Sequence, residues 1–205
     1  MVIHADAHCL VVDKPAGLLC VPGRGPDKQD CLAARVQAMY ADALVVHRLD
    51  MATSGLWLMA RGADAQRSLS RAFADRQVAK RYVAVVAGRL DAAGWQEIDL
   101  PLAADWPNRP RRIVDAVNGK PSRTRWRVLE HGTGTTRLEL EPVTGRSHQL
   151  RVHLLALGHP IVGDALYAPP VIAAASPRLL LHASELAFNH PATGGPMAFS
   201  SALPF

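Results

Sequence analysis

Apolar positions along the chain change period several times, and each change marks an element. Leu10-Val11-Val12 is a short continuous apolar run stopped by Asp13-Lys14-Pro15-Ala16-Gly17, which predicts a buried strand. A second short piece, Leu18 to Val21, runs into the Gly/Pro-rich basic loop Pro22-Gly23-Arg24-Gly25-Pro26. From Cys31 to about Tyr40, Leu32, Val36 and Met39 share one helical face, with Asp30 placed to cap it. Leu44-Val45-Val46 leads into His47-Arg48-Leu49-Asp50-Met51-Ala52-Thr53-Ser54-Gly55, and the apolar run Leu56 to Ala60 follows. Turn residues between β-type segments put Asp50 on a loop at the mouth of a strand. Leu69 and Phe73, four apart, predict a helix from an N-cap at Asp64 to about Asp75, with Arg67, Arg71 and Arg76 near its exposed side. Lys80 to Val86 is rich in β-branched and aromatic residues and ends at Gly88, a strand; Trp95 to Leu100 is a weaker one.

Beyond Leu100 the pattern breaks. Pro101 to Pro121 holds four prolines and the cluster Arg109, Arg111, Arg112, and predicts a long irregular loop whose charge suits phosphate. Arg123-Thr124-Arg125-Trp126-Arg127-Val128 alternates strictly, giving a half-buried strand with a cationic outer face. Leu138 and Leu140 alternate with Arg137, Glu139 and Glu141 in another strand, and the turn Pro142 to Gly145 follows. Ser147 then opens a helix through Leu157, with Leu150, Leu154 and Leu157 as core stripe and Gly158 as its stop. Leu179 to Leu181 and Leu186 to Phe188 read as closing strands. Many strands, few helices and no regular βαβ rhythm predict an α+β fold.

Composition narrows the class without naming a function. With 205 residues, 49% of them hydrophobic and 20% charged, the chain can bury a core, and residues 1–205 are read as one domain. Its apolar runs fall short of a membrane span, and its start lacks a basic, cleavable leader, so a cytoplasmic protein with no membrane partner is expected. Cys9, Cys20 and Cys31 are odd in number and widely spaced, which suits free thiols. The net charge of +5 suits a polyanionic partner such as nucleic acid.

Several chemistries are set aside by the absence of their patterns. There is no G-x-x-x-x-G-K-[ST] or G-x-G-x-x-G, and Ser54 lacks a G-x-S-x-G elbow. His148 and His153 are five apart on a predicted helix, where ligands on one face stand three or four apart, so no metal site is expected. Three segments remain denser in polar and basic residues than a structural role needs: the stretch around Asp50, Lys80-Arg81-Tyr82, and Thr144-Gly145-Arg146-Ser147-His148-Gln149-Leu150-Arg151. A helix start favours anions, and Arg151 one turn in can reach a carboxylate at the same mouth. A surface ion pair accounts for each segment alone but less easily for the three together.

The stretches HRLDMATSGLWLMARG, KRYVAVVAG and TGRSHQLRVHLLALGHPIVGDALY resemble the signature blocks of the RluA-type pseudouridine synthases, and LVVDKPAGLLCVPG resembles their N-terminal block. DWPNRP, GKP and PRLLLHA are closer still to the short dual-specificity members. The resemblance implies a pseudouridine synthase fold: a mixed, mostly antiparallel central sheet with flanking helices and a catalytic cleft. It makes Asp50 the nucleophile, Arg48 the residue that enters the stack as the uridine leaves, Tyr82 the ring that packs on the flipped base, and Arg151 the charge partner of Asp50. Arg146, His148 and Arg109 are expected to bind substrate. The larger relatives' S4-type RNA-binding domain has no room before Leu10. The implied substrates are structured RNA, a 23S rRNA hairpin and a tRNA anticodon stem-loop, acted on by a monomer.

Pseudouridine formation breaks N1–C1′, rotates the base and joins C5 to C1′. It is an isomerisation, so no cofactor is expected. An ionised carboxylate can attack or stabilise the electron-poor C1′, as in glycosidases. Three alternatives stay open: a relative specific for a single rRNA or tRNA site, a non-catalytic RNA-binding module, and an enzyme on small nucleosides. The low aromatic content, 5%, counts against a stacking platform.

Overall fold

Strands outnumber helices along the whole chain, in the α+β manner that its patterning predicts. The computed structural model describes Met1 to Phe205 throughout. The first half holds β1 (Val2–Ala5), β2 (Cys9–Lys14), α1 (Leu32–Gln37), β3 (Ala43–Val45), β4 (Ser54–Arg61), α2 (Ala63–Ala74), β5 (Ala79–Ala87) and β6 (Gln96–Asp99). The second holds β7 (Leu102–Ala104), β8 (Arg112–Val114), β9 (Arg123–Gly132), β10 (Thr135–Pro142), α3 (Gln149–Ala156), α4 (Pro170–Ala174), β11 (Leu181–Asn189) and β12 (Pro196–Ser200). These build two compact units, residues 1–80 with 183–204 and residues 81–182 with Phe205. No helix is long and apolar enough to cross a membrane.

In the first unit β2 and β4 run antiparallel with Cys9 opposite Ala60 and Lys14 opposite Gly55. Both are buried on both faces, which is why their sequences are nearly continuous apolar runs rather than alternations. One face, Cys9, Val11, Leu56, Leu58 and Ala60, packs with Ala65 and Leu69 of α2 and with Leu186 and Phe188 of β11. Burying a Leu or Phe of this kind contributes about 1.5–3 kcal/mol. Asp30 does not cap α1: Cys31 does, its Sγ accepting the Ala34 N–H at 3.4 Å, while Asp30 forms a fork with Arg35. The helix stops at Gln37, before a third turn could form, so Met39 is 63% exposed rather than part of a core stripe. Gly62, with φ of 77°, takes the cap of α2, and Asp64 sits inside the first turn paired with Arg67.

The second unit pairs β5 with β10, β10 with β9, and β9 with β6, all antiparallel. The predicted loop from Pro101 to Pro121 is not irregular throughout, because β7 and β8 pair Leu102 with Val114 and Ala104 with Arg112 as a small hairpin. The three alternating arginines of β9 are not a bare cationic face. Arg123 meets Glu97 at 3.7 Å, Arg125 meets Glu141 at 3.4 Å, and Arg127 pairs with Glu139. Arg81 reaches both Glu139 and Glu141 at 3.5 Å, and the guanidinia of Arg81, Arg125 and Arg127 surround the Trp95 ring at 4.9–5.0 Å. Neighbouring strands supply the carboxylates, which a pattern read along one strand does not see. The helix predicted from Ser147 is α3. It is buried nearly all round, through Gln149, Arg151 and His153 as well as Leu150, Val152 and Leu154, while Leu157 is 38% exposed beyond its end.

The second residue of β4 is Gly55, whose φ of 108° only glycine adopts without strain, and a Cβ there would lie 2.3 Å from the Ala183 carbonyl oxygen. Gly55→Ala should therefore destabilise the chain by at least about 2 kcal/mol; thermal denaturation against wild type measures it, and an unchanged midpoint would refute the tight approach.

Candidate active site

The loop that carries Asp50 joins β3 to β4, and an unusual interaction fixes its backbone. Lys14, the last residue of β2, is wholly buried. Its ammonium donates to the carbonyl oxygens of Leu18 at 2.7 Å, Met51 at 2.9 Å and Pro15 at 3.0 Å. An ammonium has three N–H donors, so three carbonyl dipoles can take all of them, and that is how a buried cation becomes tolerable. The Met51 carbonyl also accepts the Gly17 N–H at 2.9 Å, while Thr53 N–H closes a turn onto the Asp50 carbonyl at 3.1 Å. On the other side of Asp50, the buried Leu49 donates its N–H to Cys20 Sγ at 3.3 Å. Asp50 itself is half-buried and Arg48 is exposed. Burial above all pushes the Cys20 thiol pKa up, and the same thiol feels the charges of Lys14, Asp50 and Arg48.

His47 is fixed differently. Its Nε2 accepts the Leu58 N–H at 3.0 Å, its carbonyl accepts Trp57 Nε1–H at 2.9 Å, and its ring stacks on Phe73 at 4.4 Å. Accepting at Nε2 requires a neutral ring with the proton on Nδ1. Burial, helped by the charge of Lys80, pushes the imidazole down to about 3. His47 is thus a structural hydrogen-bonder that ties the loop to β4.

Arg48 and Asp50 belong to the first unit; Tyr82, Arg109, Arg146, His148 and Arg151 belong to the second. Tyr82 lies half-buried on β5, opposite Leu140 of β10. Arg151 is 4% exposed and grips Asp164 with a two-pronged fork, Nε to Oδ2 at 2.8 Å and Nη2 to Oδ1 at 2.6 Å. The guanidinium also lies over the Tyr167 ring at 4.9 Å. His148, the residue before α3, has φ of 57° and places Nδ1 2.6 Å from the Tyr167 hydroxyl, which accepts the Arg112 N–H at 2.8 Å. Asp164, Tyr167, His148 and Arg151 therefore form one polar cluster. Gly163 sets its approach: a Cβ there would lie 1.8 Å from the Arg178 carbonyl oxygen.

Arg146 and Arg109 stand outside that cluster's hydrogen bonds. Arg146 is exposed, with Nε 3.4 Å from the Pro121 carbonyl oxygen, and Arg109 is exposed with its guanidinium 3.5 Å from the centre of the Trp106 ring. The turn before α3 is held by buried Gln149. Its Oε1 accepts from Thr144 Oγ1 at 2.7 Å and Arg146 N–H at 3.0 Å, and its Nε2 donates to Arg123 O and Thr124 Oγ1 at 2.9 Å each. Sequence reading assigned no role to Lys14, Asp164, Tyr167 or Gln149. The available signals were a lysine ending an apolar strand and the Gly163-Asp164 turn.

Comparison with known proteins places these elements. The sequence profile described as RNA pseudouridylate synthase matches residues 8–156, across both units. The chain is 49% identical over 206 residues to the dual-specificity RNA pseudouridine synthase RluA of Escherichia coli strain K12, covering 100% of this chain and 94% of that protein. It is 50% identical over 200 residues to the protein of the same name from Yersinia pestis, covering 97% of each. The solved structure of human RNA pseudouridylate synthase domain containing 1 matches with a TM-score of 0.82 at 30% identity, covering 100% of this chain and 83% of that one.

Two outcomes follow from the geometry. Lys14→Met removes the donor to three carbonyls and should cost roughly 2–5 kcal/mol; it should also lower activity at temperatures where the variant is still folded, and wild-type turnover there would show that the cage does not position the loop. His47 stays neutral when folded down to about pH 3 but titrates near 6.5 when unfolded. Between those values the unfolded state holds the extra proton, so the stability due to His47 is complete above about pH 6.5 and is lost as pH falls, by up to about 1.4 kcal/mol per unit. Urea titrations from pH 7 to 4 should show a shallower pH slope in His47→Gln than in wild type.

Proposed function

The chain belongs to the RNA pseudouridylate synthase family, an isomerase family, and from that premise we propose that it converts uridine to pseudouridine in stem-loops of both 23S rRNA and tRNA with Asp50 as nucleophile. The observation that carries this reading is the 49% identity along the whole chain to an enzyme named for dual specificity. The site is consistent with it. The backbone on both sides of Asp50 is held by hydrogen bonds from buried groups, so little order remains to be acquired when substrate binds.

In this reading the target uridine leaves its stack, at a cost of a few kcal/mol that a loop nucleotide keeps low. Arg48, exposed on the Asp50 loop, takes the vacated place, and Tyr82 stacks on the extruded base. The Asp50 carboxylate acts at C1′ while N1–C1′ breaks, and the rotated base rejoins through C5. Arg151 takes the role of charge partner to Asp50 in this reading. Its fork with Asp164 fixes the plane of the guanidinium, and a group with five N–H donors is not exhausted by that fork. Arg146 and His148 at the start of α3, and Arg109 stacked on Trp106 in the β7–β8 hairpin, contact the RNA backbone and help to select the stem-loop. The protein acts as a cytoplasmic monomer without a cofactor.

Asp50→Asn should bind a uridine stem-loop within a few-fold of wild-type affinity yet lose turnover by about 10³-fold or more. Tritium release from C5-tritiated uridine in rRNA and tRNA stem-loops measures this. Near-normal release by the variant would remove Asp50 from its role, and wild-type release from one RNA class alone would remove the dual specificity.

A further inference from the structure

At the end of β2 remote from the Asp50 loop, three chemistry-bearing side chains, His4, Cys9 and His190, meet around the carboxylate of Asp6. Asp6 sits in the turn between β1 and β2, and its Oδ1 accepts the N–H groups of His8 at 2.7 Å and Cys9 at 2.8 Å, which fixes the carboxylate plane. Its Oδ2 faces His4 Nε2 at 2.6 Å, His190 Nε2 at 3.3 Å and Cys9 Sγ at 3.5 Å. The ligating atoms of His4, Asp6 and Cys9 lie within 4.8 Å of one another. Cys9 is wholly buried, and the side chains of His4 and Asp6 are each 29% exposed, so the group has a dry wall and an open side.

We propose that His4 Nε2, Asp6 Oδ2 and Cys9 Sγ form a binding site for a zinc-class divalent cation. The donor set is one imidazole, one carboxylate and one thiolate, the mixture that suits zinc rather than calcium or magnesium. Tetrahedral zinc places such donors about 3.2–3.8 Å apart. The Asp6–Cys9 separation already falls in that range, and the His4–Asp6 contact needs to open by well under 1 Å. His190 provides the support that ligating carboxylates require. Its Nδ1 accepts the N–H groups of Ala192 at 3.3 Å and Thr193 at 3.1 Å, so its ring proton is on Nε2 and points at Asp6 Oδ2. The β11–β12 turn, remote in sequence, thereby orients a carboxylate in the β1–β2 turn. Helical His spacing, the basis for expecting no metal, could not register a group assembled by two turns.

The site is separate from the Asp50 loop. Cys9 pairs with Ala60 and Lys14 with Gly55, so the length of β2, about 17 Å, separates the cluster from the caged lysine. The cation ties β1 to β2 and contributes to folding rather than to turnover.

The test uses the full chain after chelator treatment, titrated with Zn²⁺ by calorimetry and with Co²⁺ by visible absorption. One ion per chain, a thiolate-to-cobalt charge-transfer band and a raised thermal midpoint are expected, with uridine isomerisation unchanged. Cys9→Ser should abolish the charge-transfer band, and His4→Gln should weaken binding at least about tenfold. His190→Gln should weaken it about 10–100-fold without removing the band. If Cys9→Ser does not fold, His4→Gln, which changes a partly exposed side chain, still decides. Absence of stoichiometric binding, or binding that His4→Gln and Cys9→Ser leave intact, overturns the proposal.

Discussion

The hydrogen bonds of the Lys14 ammonium are the interaction on which the loop that carries Asp50 depends. Burying an ammonium is costly, and part of what makes this one tolerable is the convergence of three carbonyl oxygens, two from the turn after β2 and one from the Asp50 loop. Each carbonyl is held there because the charge is there. The arrangement fixes the end of β2, the turn that follows it and the residue after Asp50 in one step. Apolar packing alone would not do so, since it tolerates small slides of backbone that a hydrogen-bonded charge does not.

The second unit solves a similar problem in another way. Arg151 is also buried, and it is matched by the carboxylate of Asp164 in a two-pronged fork. The first device gathers backbone carbonyls around one ammonium, and the second gives direction, since a two-pronged fork fixes a plane that a single contact leaves free. Tyr167 joins the second device to its surroundings, with Arg151 over its ring and His148 at its hydroxyl.

How much of this was legible depends on whether the determining partner was local. β2, β4, β5, β9 and β10 follow from runs and alternation within a few residues, and the special character of the Asp50 stretch was visible because turn residues, charge and an apolar strand adjoin there. The β7–β8 hairpin was not legible, because four prolines mask three-residue strands. Met39 and Leu157 were misplaced because periodicity shows which face a residue would take but not where the helix stops. The arginines of β9 looked cationic because the glutamates that meet them stand on neighbouring strands. Lys14 and Asp164 were quoted within longer motifs and given no task, since nothing local distinguishes a caged lysine from one at the surface.

The ladder of arginines and glutamates around Trp95 has a consequence for how the protein holds a polyanion. Affinity for RNA is driven in large part by counterions set free when a cation replaces them on phosphate. An arginine already neutralised by a glutamate can do this only by giving up its own partner, so the four arginines of the ladder, set against Glu97, Glu139 and Glu141, release few. The excess of basic over acidic residues that first suggested a nucleic-acid partner is thus concentrated in effect on the remaining cations. A phosphate backbone laid on the ladder therefore gains little there.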